Sequence, residues 1–181
     1  TLEDVHALAP DILAAVYLFG FVRLNLTSAS DTVRVAGITA QSPHGSSLEE
    51  LTQQIPSSRN AYFSATVREA QAGAKVIIWA EISGAGLGSD EASFIARAQQ
   101  VARQNDIYLA IPFYTIYPDT GRKNENKLLL FDPTGTIVME HVKYGGAIME
   151  TNRLVGNGKL QTVDTPFGVL SGVICWDMDY P

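Results

Sequence analysis

Cysteine is almost absent from this sequence, which has a single one, Cys175, among 181 residues. One cysteine excludes an intrachain disulfide framework and any zinc site built from several cysteines. Long basic runs are also missing and the net charge is -6, so the sequence does not indicate a nucleic-acid-binding surface. The 46% hydrophobic and 18% charged residues are typical of a folded chain, and the length suits one sizeable core rather than two ordinary domains.

Residues 1–30 form an apolar segment that differs from the rest of the chain, residues 31–181. The run ILAAVYLFGF at 12–21 is shorter than the ~20 residues that cross a bilayer, and it lacks the features of a signal peptide. The interpretations left open are a surface helix packed on the core, a membrane-interface segment, or the end of a helix whose start is missing. The sequence does not begin with Met, so we expect a piece of a longer chain.

From residue 32 the pattern alternates between strands and helices. Apolar stripes predict one helix at 59–72 and another after an N-cap at Ser89. We interpret residues 43–56 as a turn-rich stretch and residues 84–88 as a flexible connection. Short apolar or alternating runs predict strands at 33–39, 75–79, 108–117, 127–131, 137–142, 160–163 and 169–175. Because helix-separated and hairpin-linked strands both occur, the order predicts an α/β layered domain with a mixed sheet.

Three chemically reactive side chains each follow an apolar strand: Glu81, Lys143 and Cys175. In layered α/β folds, strand ends on one side of the sheet commonly hold the site. The alternatives are that Cys175 is a buried core residue and that the two charged residues end their strands merely to reach water. His141 is the rival base, because Cys–His pairing is the commoner arrangement, but we interpret it as a strand-surface residue.

These side chains suit one kind of chemistry. A carboxylate can act as a general base towards a thiol, and a nearby ammonium group can lower the pKa of the thiol and stabilise an oxyanion. Together they would allow attack on an amide, nitrile or ester carbon through a thioester intermediate.

The sequence around these residues resembles the carbon–nitrogen hydrolase (nitrilase) superfamily. The resemblance covers residues 32–181 and is carried by VRVAGITAQ, KVIIWAE, NKLLLFDPTGTIVMEHVK and TPFGVLSGVICWDMDYP. It implies a four-layer α-β-β-α sandwich in which Glu81 is the general base, Lys143 stabilises the oxyanion and Cys175 is the nucleophile. The backbone N–H of Trp176 would be a second oxyanion donor, and Glu150 is the candidate for a further carboxylate. Neither a metal nor an organic cofactor is implied.

Within the superfamily, the apolar start of the chain and the motif ICWDMDYP look most like the apolipoprotein N-acyltransferase branch. Those membrane proteins transfer an acyl chain from a phospholipid to an amino group. Many amidases of the superfamily have Arg where this chain has Asp179, which weakens a generic soluble amidase interpretation. Family domains continue beyond the cysteine motif, so we expect a C-terminally incomplete domain that would be a poor enzyme in isolation.

The sequence therefore predicts cysteine-dependent acyl transfer on a small-molecule or lipid substrate, at a membrane if residues 1–30 are membrane-linked and in the cytoplasm otherwise. The alternatives are a soluble amidase or nitrilase-type hydrolase and a non-catalytic binding module of the same fold. Self-association is left open, and no nucleic-acid partner is expected.

Overall fold

The structure, a computed structural model, describes residues 2–26, 32–41, 43–44, 47–118, 120–146 and 152–179. It divides into two compact units, residues 1–32 and residues 33–181. The first unit contains one helix, α1 (Leu2–Leu26), with Pro10 inside it. Within the described ranges, no helix combines the length and the hydropathy that crossing a membrane requires. Large apolar side chains of α1 are nevertheless exposed, namely Ile12, Leu13, Val16, Tyr17, Leu18, Phe19, Phe21, Val22 and Leu24.

The second unit is built on a mixed sheet. Its strands are β1 (Val35–Ile38), β2 (Val76–Trp79), β3 (Gly86–Leu87), β4 (Tyr108–Ile116), β5 (Glu125–Phe131) and β6 (Ile137–Val142). They pair in the order β1-β2-β4-β5-β6, and β3 pairs with β4 beside this path. Strands β1, β2 and β4 are parallel, whereas β5 is antiparallel to both β4 and β6. The carboxyl ends of β2, β4 and β6 therefore lie at the same edge of the sheet.

The two faces of this sheet are covered differently. Helices α2 (Leu48–Gln71) and α3 (Glu91–Asn105) pack on one face around an aromatic core that includes Phe63, Trp79 and Phe94. The other face carries a smaller apolar cluster, which Ile174 joins from the end of the chain. A separate antiparallel hairpin, β7 (Thr162–Thr165) and β8 (Gly168–Ser171), precedes Ile174. The predicted α/β domain with a mixed sheet is confirmed.

The prediction of turns over residues 43–56 is wrong for its second half, because α2 begins at Leu48. The side chain of Ser47 accepts a hydrogen bond from the Glu50 N–H at 3.2 Å, which is the N-terminal half of a capping box. Pro56 lies inside the helix rather than before it. Packing of α2 against the sheet offsets the ~3 kcal/mol cost of an interior proline, which the cap alone could not do.

Residues 84–88 are not a flexible connection either. Gly86 and Leu87 form β3 beside Thr115 and Ile116 of β4. A Cβ on Gly86 would collide with the Arg59 guanidinium of α2, so a larger residue here would require the Arg59 side chain to move. The predicted N-cap at Ser89 is displaced by one residue, since a short 3-10 turn (Gly88–Asp90) precedes α3.

Candidate active site

Glu81 and Lys143 meet at the edge of the sheet where β2 and β6 end. Lys143 follows β6 directly and Glu81 lies two residues beyond β2, and the Lys143 ammonium donates to Glu81 Oε1 at 2.7 Å. Lys143 is 6% exposed, whereas the Glu81 side chain keeps 30% of its surface accessible. A buried ammonium needs a partner to offset the loss of hydration, and Glu81 supplies it while keeping access to solvent.

Asn126 is a third member of this group that the sequence reasoning did not single out. It lies near the start of β5, at the same edge, and is fully buried. Its Nδ2 donates to Glu81 Oε1 at 3.2 Å, and its backbone oxygen accepts from the Lys143 N–H at 2.8 Å. The only sequence signal is a polar residue ahead of the apolar run LLLF.

Cys175 is exposed, so the alternative of a buried core cysteine is wrong. It also does not end a strand as predicted: β8 stops at Ser171, and Cys175 opens a short 3-10 turn (Cys175–Asp179). Its φ is 50°, in the left-handed region that costs a residue with a side chain about 1 kcal/mol. A strained turn of this kind lifts a side chain away from the surrounding backbone.

Cys175 and Glu81 lie on the wall of the same cavity, which has a volume of about 420 Å³. Most of the remaining wall is apolar and comes from the sheet face opposite the helices, including Ala110, Leu128 and Met139. The two residues thus border one largely apolar cavity, although the described residues show no hydrogen bond between their side chains.

The turn that begins at Cys175 packs against the chain segment that follows Lys143. A Cβ on Gly145 would lie 2.7 Å from the backbone oxygen of Trp176, and one on Gly146 would lie 3.1 Å from the Trp176 ring. The same Gly146 position is 4.0 Å from Lys143 Cε. Glycine at these two positions therefore allows the cysteine turn and the lysine segment to come into contact.

Asp177 joins the Cys175 turn to the segment after Lys143 by hydrogen bonds. Its Oδ1 accepts hydrogen bonds from the N–H groups of Tyr144 and Gly145 at 2.8 and 2.6 Å. Its Oδ2 accepts from the Ile174 N–H at 3.1 Å and lies 2.7 Å from His141 Nε2. Burial raises the pKa of this carboxyl group, but the hydrogen bonds outweigh burial and the pKa is lowered overall.

His141 is therefore not the strand-surface residue that the sequence predicted. It is 4% exposed because the turn carrying Asp177 covers this part of β6. Since an ionised carboxylate can only accept, His141 Nε2 carries the proton in this pair. The imidazole is thus held by a carboxylate, in a position to support the turn.

Arg153 is a further buried residue of the site that the sequence reasoning did not single out. It donates to the backbone oxygens of Lys143 and Gly145, both at 2.6 Å. The predicted second carboxylate, Glu150, lies outside the described residues. Among the residues that the structure describes, no cluster of three or more His, Cys, Asp or Glu side chains could hold a metal ion.

Comparisons with known proteins agree with this architecture. The model of the carbon-nitrogen hydrolase family matches residues 35–181. One similar solved structure is Saccharomyces cerevisiae Nit3, of branch 10 of the nitrilase superfamily, with a TM-score of 0.58 and 18% identity over 70% of this chain and 52% of that one. Another is C. elegans NitFhit, with a TM-score of 0.62 and 16% identity over 81% of this chain and 38% of that one. A third is an amidase from Nesterenkonia sp., with a TM-score of 0.56 and 17% identity over 71% of this chain and 53% of that one.

The chain spans about half the length, or less, of these solved structures. At such identities the likeness shows the fold, and the expected nitrilase-type fold is confirmed. No curated protein sequence matches the chain significantly. The structures named are of an amidase and of Nit-type proteins, so the apolipoprotein N-acyltransferase branch stays a prediction.

Proposed function

The chain belongs to the carbon-nitrogen hydrolase family, and we propose that Cys175, Glu81 and Lys143 carry out cysteine-dependent cleavage of a carbon–nitrogen bond. The observation that supports this most directly is the Glu81–Lys143 pair at 2.7 Å beside a cavity whose wall also includes Cys175. Water as the final acceptor makes the protein an amidase.

In the first half of the reaction, Glu81 takes the proton of the Cys175 thiol while the sulfur attacks the carbonyl carbon of an amide. The carbonyl oxygen becomes an oxyanion, which the Lys143 ammonium and the Trp176 N–H stabilise. The oxyanion then re-forms the carbonyl, the carbon–nitrogen bond breaks, and Glu81 passes its proton to the departing amine. The product of this half is a thioester on Cys175 and a free amine.

In the second half, a water molecule replaces the amine. Glu81 removes a proton from the water, whose oxygen attacks the thioester carbon. The carbon–sulfur bond breaks, a carboxylic acid leaves, and the sulfur of Cys175 recovers its proton from Glu81. Atoms and charges balance without a cofactor, because the only groups that change protonation are Glu81 and Cys175.

Glu81→Gln is expected to lower turnover of simple aliphatic amides by about 10²- to 10⁴-fold, because a neutral amide cannot accept the thiol or water proton. Ammonia release measures turnover. At neutral pH, alkylation of Cys175 by iodoacetamide should also slow, and a substrate amide should still protect the thiol.

The matched control is Glu91→Gln. Glu91 also pairs with a buried lysine, Lys127, and its side chain is 19% exposed, but it does not line the cavity. This variant should keep activity within about twofold. Equal loss in both variants would contradict a specific role for Glu81, and a thiol no more reactive than free cysteine would favour the non-catalytic module.

A second candidate function differs in the acceptor. The exposed apolar side chains of α1 favour contact with lipid, and an acyl group held on Cys175 at a membrane surface could pass to an amine instead of water. This is the chemistry of a lipoprotein N-acyltransferase, with a lipid acyl donor. The first half-reaction is the same, so Cys175, Glu81 and Lys143 keep their roles.

Vesicle flotation tests the membrane part of this candidate. The chain should float with vesicles of phosphatidylcholine and phosphatidylglycerol, and the double variant Phe19→Ser, Phe21→Ser should lose most of that binding, since each change removes exposed apolar area. Leu160→Ser with Val169→Ser is the control, because these side chains are equally exposed in the second unit. If the wild-type chain stays with the aqueous fraction, the acyltransferase candidate fails and the amidase remains.

A further inference from the structure

We propose that Asn126 is a positioning residue that determines which oxygen of Glu81 acts as the base, an inference that rests on the function proposed above. Asn126 would touch neither the thiol nor a reacting carbon. It would act through Glu81, by holding one carboxylate oxygen against the sheet edge while the other faces the cavity.

The two carboxylate oxygens of Glu81 accept different numbers of hydrogen bonds. Oε1 accepts from both the Lys143 ammonium at 2.7 Å and Asn126 Nδ2 at 3.2 Å. Among the residues that the structure describes, none donates a hydrogen bond to Oε2. Two donors at the Oε1 position fix the plane of the carboxylate, so the oxygen at the Oε2 position is left as the proton acceptor.

The environment of Asn126 indicates a role other than strand stability. Its side chain is fully buried at a position where the next residues of β5 on the same face, Leu128 and Leu130, are apolar. Its Oδ1 is buried without a hydrogen-bond partner among the described residues, which is costly. An apolar residue would avoid that cost but would remove the donor to Glu81.

The neighbouring carboxylate fixes the orientation of the Asn126 side-chain amide. If the side chain were flipped, its oxygen would face Glu81 Oε1, and two acceptors would repel each other. The amide therefore presents Nδ2 to the carboxylate and donates to Glu81 Oε1.

Two substitutions test the inference. Asn126→Ala removes the donor, and kcat should fall about tenfold with KM unchanged within twofold, while the acid limb of the pH–kcat profile moves to higher pH. Asn126→Asp replaces the donor by a second carboxylate beside Glu81, and the limb should move further, by more than one pH unit. Iodoacetamide alkylation of Cys175 against pH should shift in the same direction, which gives a readout that does not depend on turnover.

Asn124→Asp is the matched control, since Asn124 precedes β5 by one residue and its Oδ1 accepts from the Tyr117 N–H instead. This variant should move neither pH profile. Circular dichroism establishes folding, and if Asn126→Asp does not fold, Asn126→Ala decides. A lowered Tm with both pH profiles unmoved would overturn the inference and show a structural role.

Glu81→Gln separates the two proposals. If this variant keeps full turnover, the proposed function itself fails. If Glu81→Gln loses turnover while the Asn126 variants keep theirs, only the role of Asn126 is overturned.

Discussion

Cys175→Ser should lower amide turnover by about 10⁴-fold or more, because a serine hydroxyl at this position lacks both the acidity and the nucleophilicity of a thiol. Substrate binding should be nearly unchanged, since sulfur and oxygen occupy similar space at the cavity wall. Ammonia release and substrate binding, measured separately, distinguish these two effects.

The fold should tolerate this change, because Cys175 is exposed and its side chain contributes little buried area. Ser171→Ala provides a control, since Ser171 also lines the cavity but takes no part in the proposed reaction. Full turnover by Cys175→Ser, or an equal loss in Ser171→Ala, would show that the thiol is not the nucleophile.

Asp177→Ala is expected to have the largest effect on stability, a loss of about 3 kcal/mol in the free energy of unfolding. The substitution leaves the N–H groups of Tyr144, Gly145 and Ile174 and the ring of His141 without their acceptor. Because Asp177 joins the Cys175 turn to the segment after Lys143, activity should fall with stability. Urea unfolding and amide turnover measure the two effects.

Asp179→Ala is the matched control, since Asp179 is an exposed carboxylate two residues along the same turn. It should change stability by less than about 0.5 kcal/mol. Equal stability losses in the two variants would mean that the four hydrogen bonds to Asp177 do not hold the turn.

The same carboxylate gives stability a defined acid dependence. The folded-state pKa of Asp177 lies below its ordinary value of about 3.9, because the hydrogen bonds outweigh the effect of burial. Its contribution is therefore complete above pH ~3.9 and is lost as the pH falls through the depressed folded-state pKa. In Asp177→Asn this contribution is absent, so the difference in stability between wild type and variant should shrink below pH ~4.

The sequence predicted which charged residues follow the strands at the edge of the sheet, but not which residues support them by hydrogen bonds. Glu81 and Lys143 could be placed because each follows a recognisable apolar strand, and parallel strands bring their carboxyl ends together. Asn126 and Asp177 could not, since their importance comes from hydrogen bonds to residues 45 and 33 positions away. No local pattern encodes such a contact.

His141 and Pro56 show two further reasons why sequence reasoning failed. The alternation of β6 correctly puts His141 on the same face as Lys143, but only the covering turn, 36 residues later, makes that face buried. The composition of residues 43–56 indicates turns, but helix α2 includes Pro56 because it packs against the sheet. Tertiary contacts outweigh local propensity in both cases.

The central claim is that Cys175 carries the acyl group between donor and acceptor, and mass spectrometry of the trapped enzyme tests it most directly. After brief reaction with p-nitrophenyl acetate and acid quench, peptide mapping should find one acetyl group on Cys175 that hydroxylamine removes, as expected for a thioester. Cys175→Ser should show no such rapid, hydroxylamine-sensitive adduct. An acetyl group on another residue during productive turnover, or turnover with Cys175 never acylated, would contradict the account.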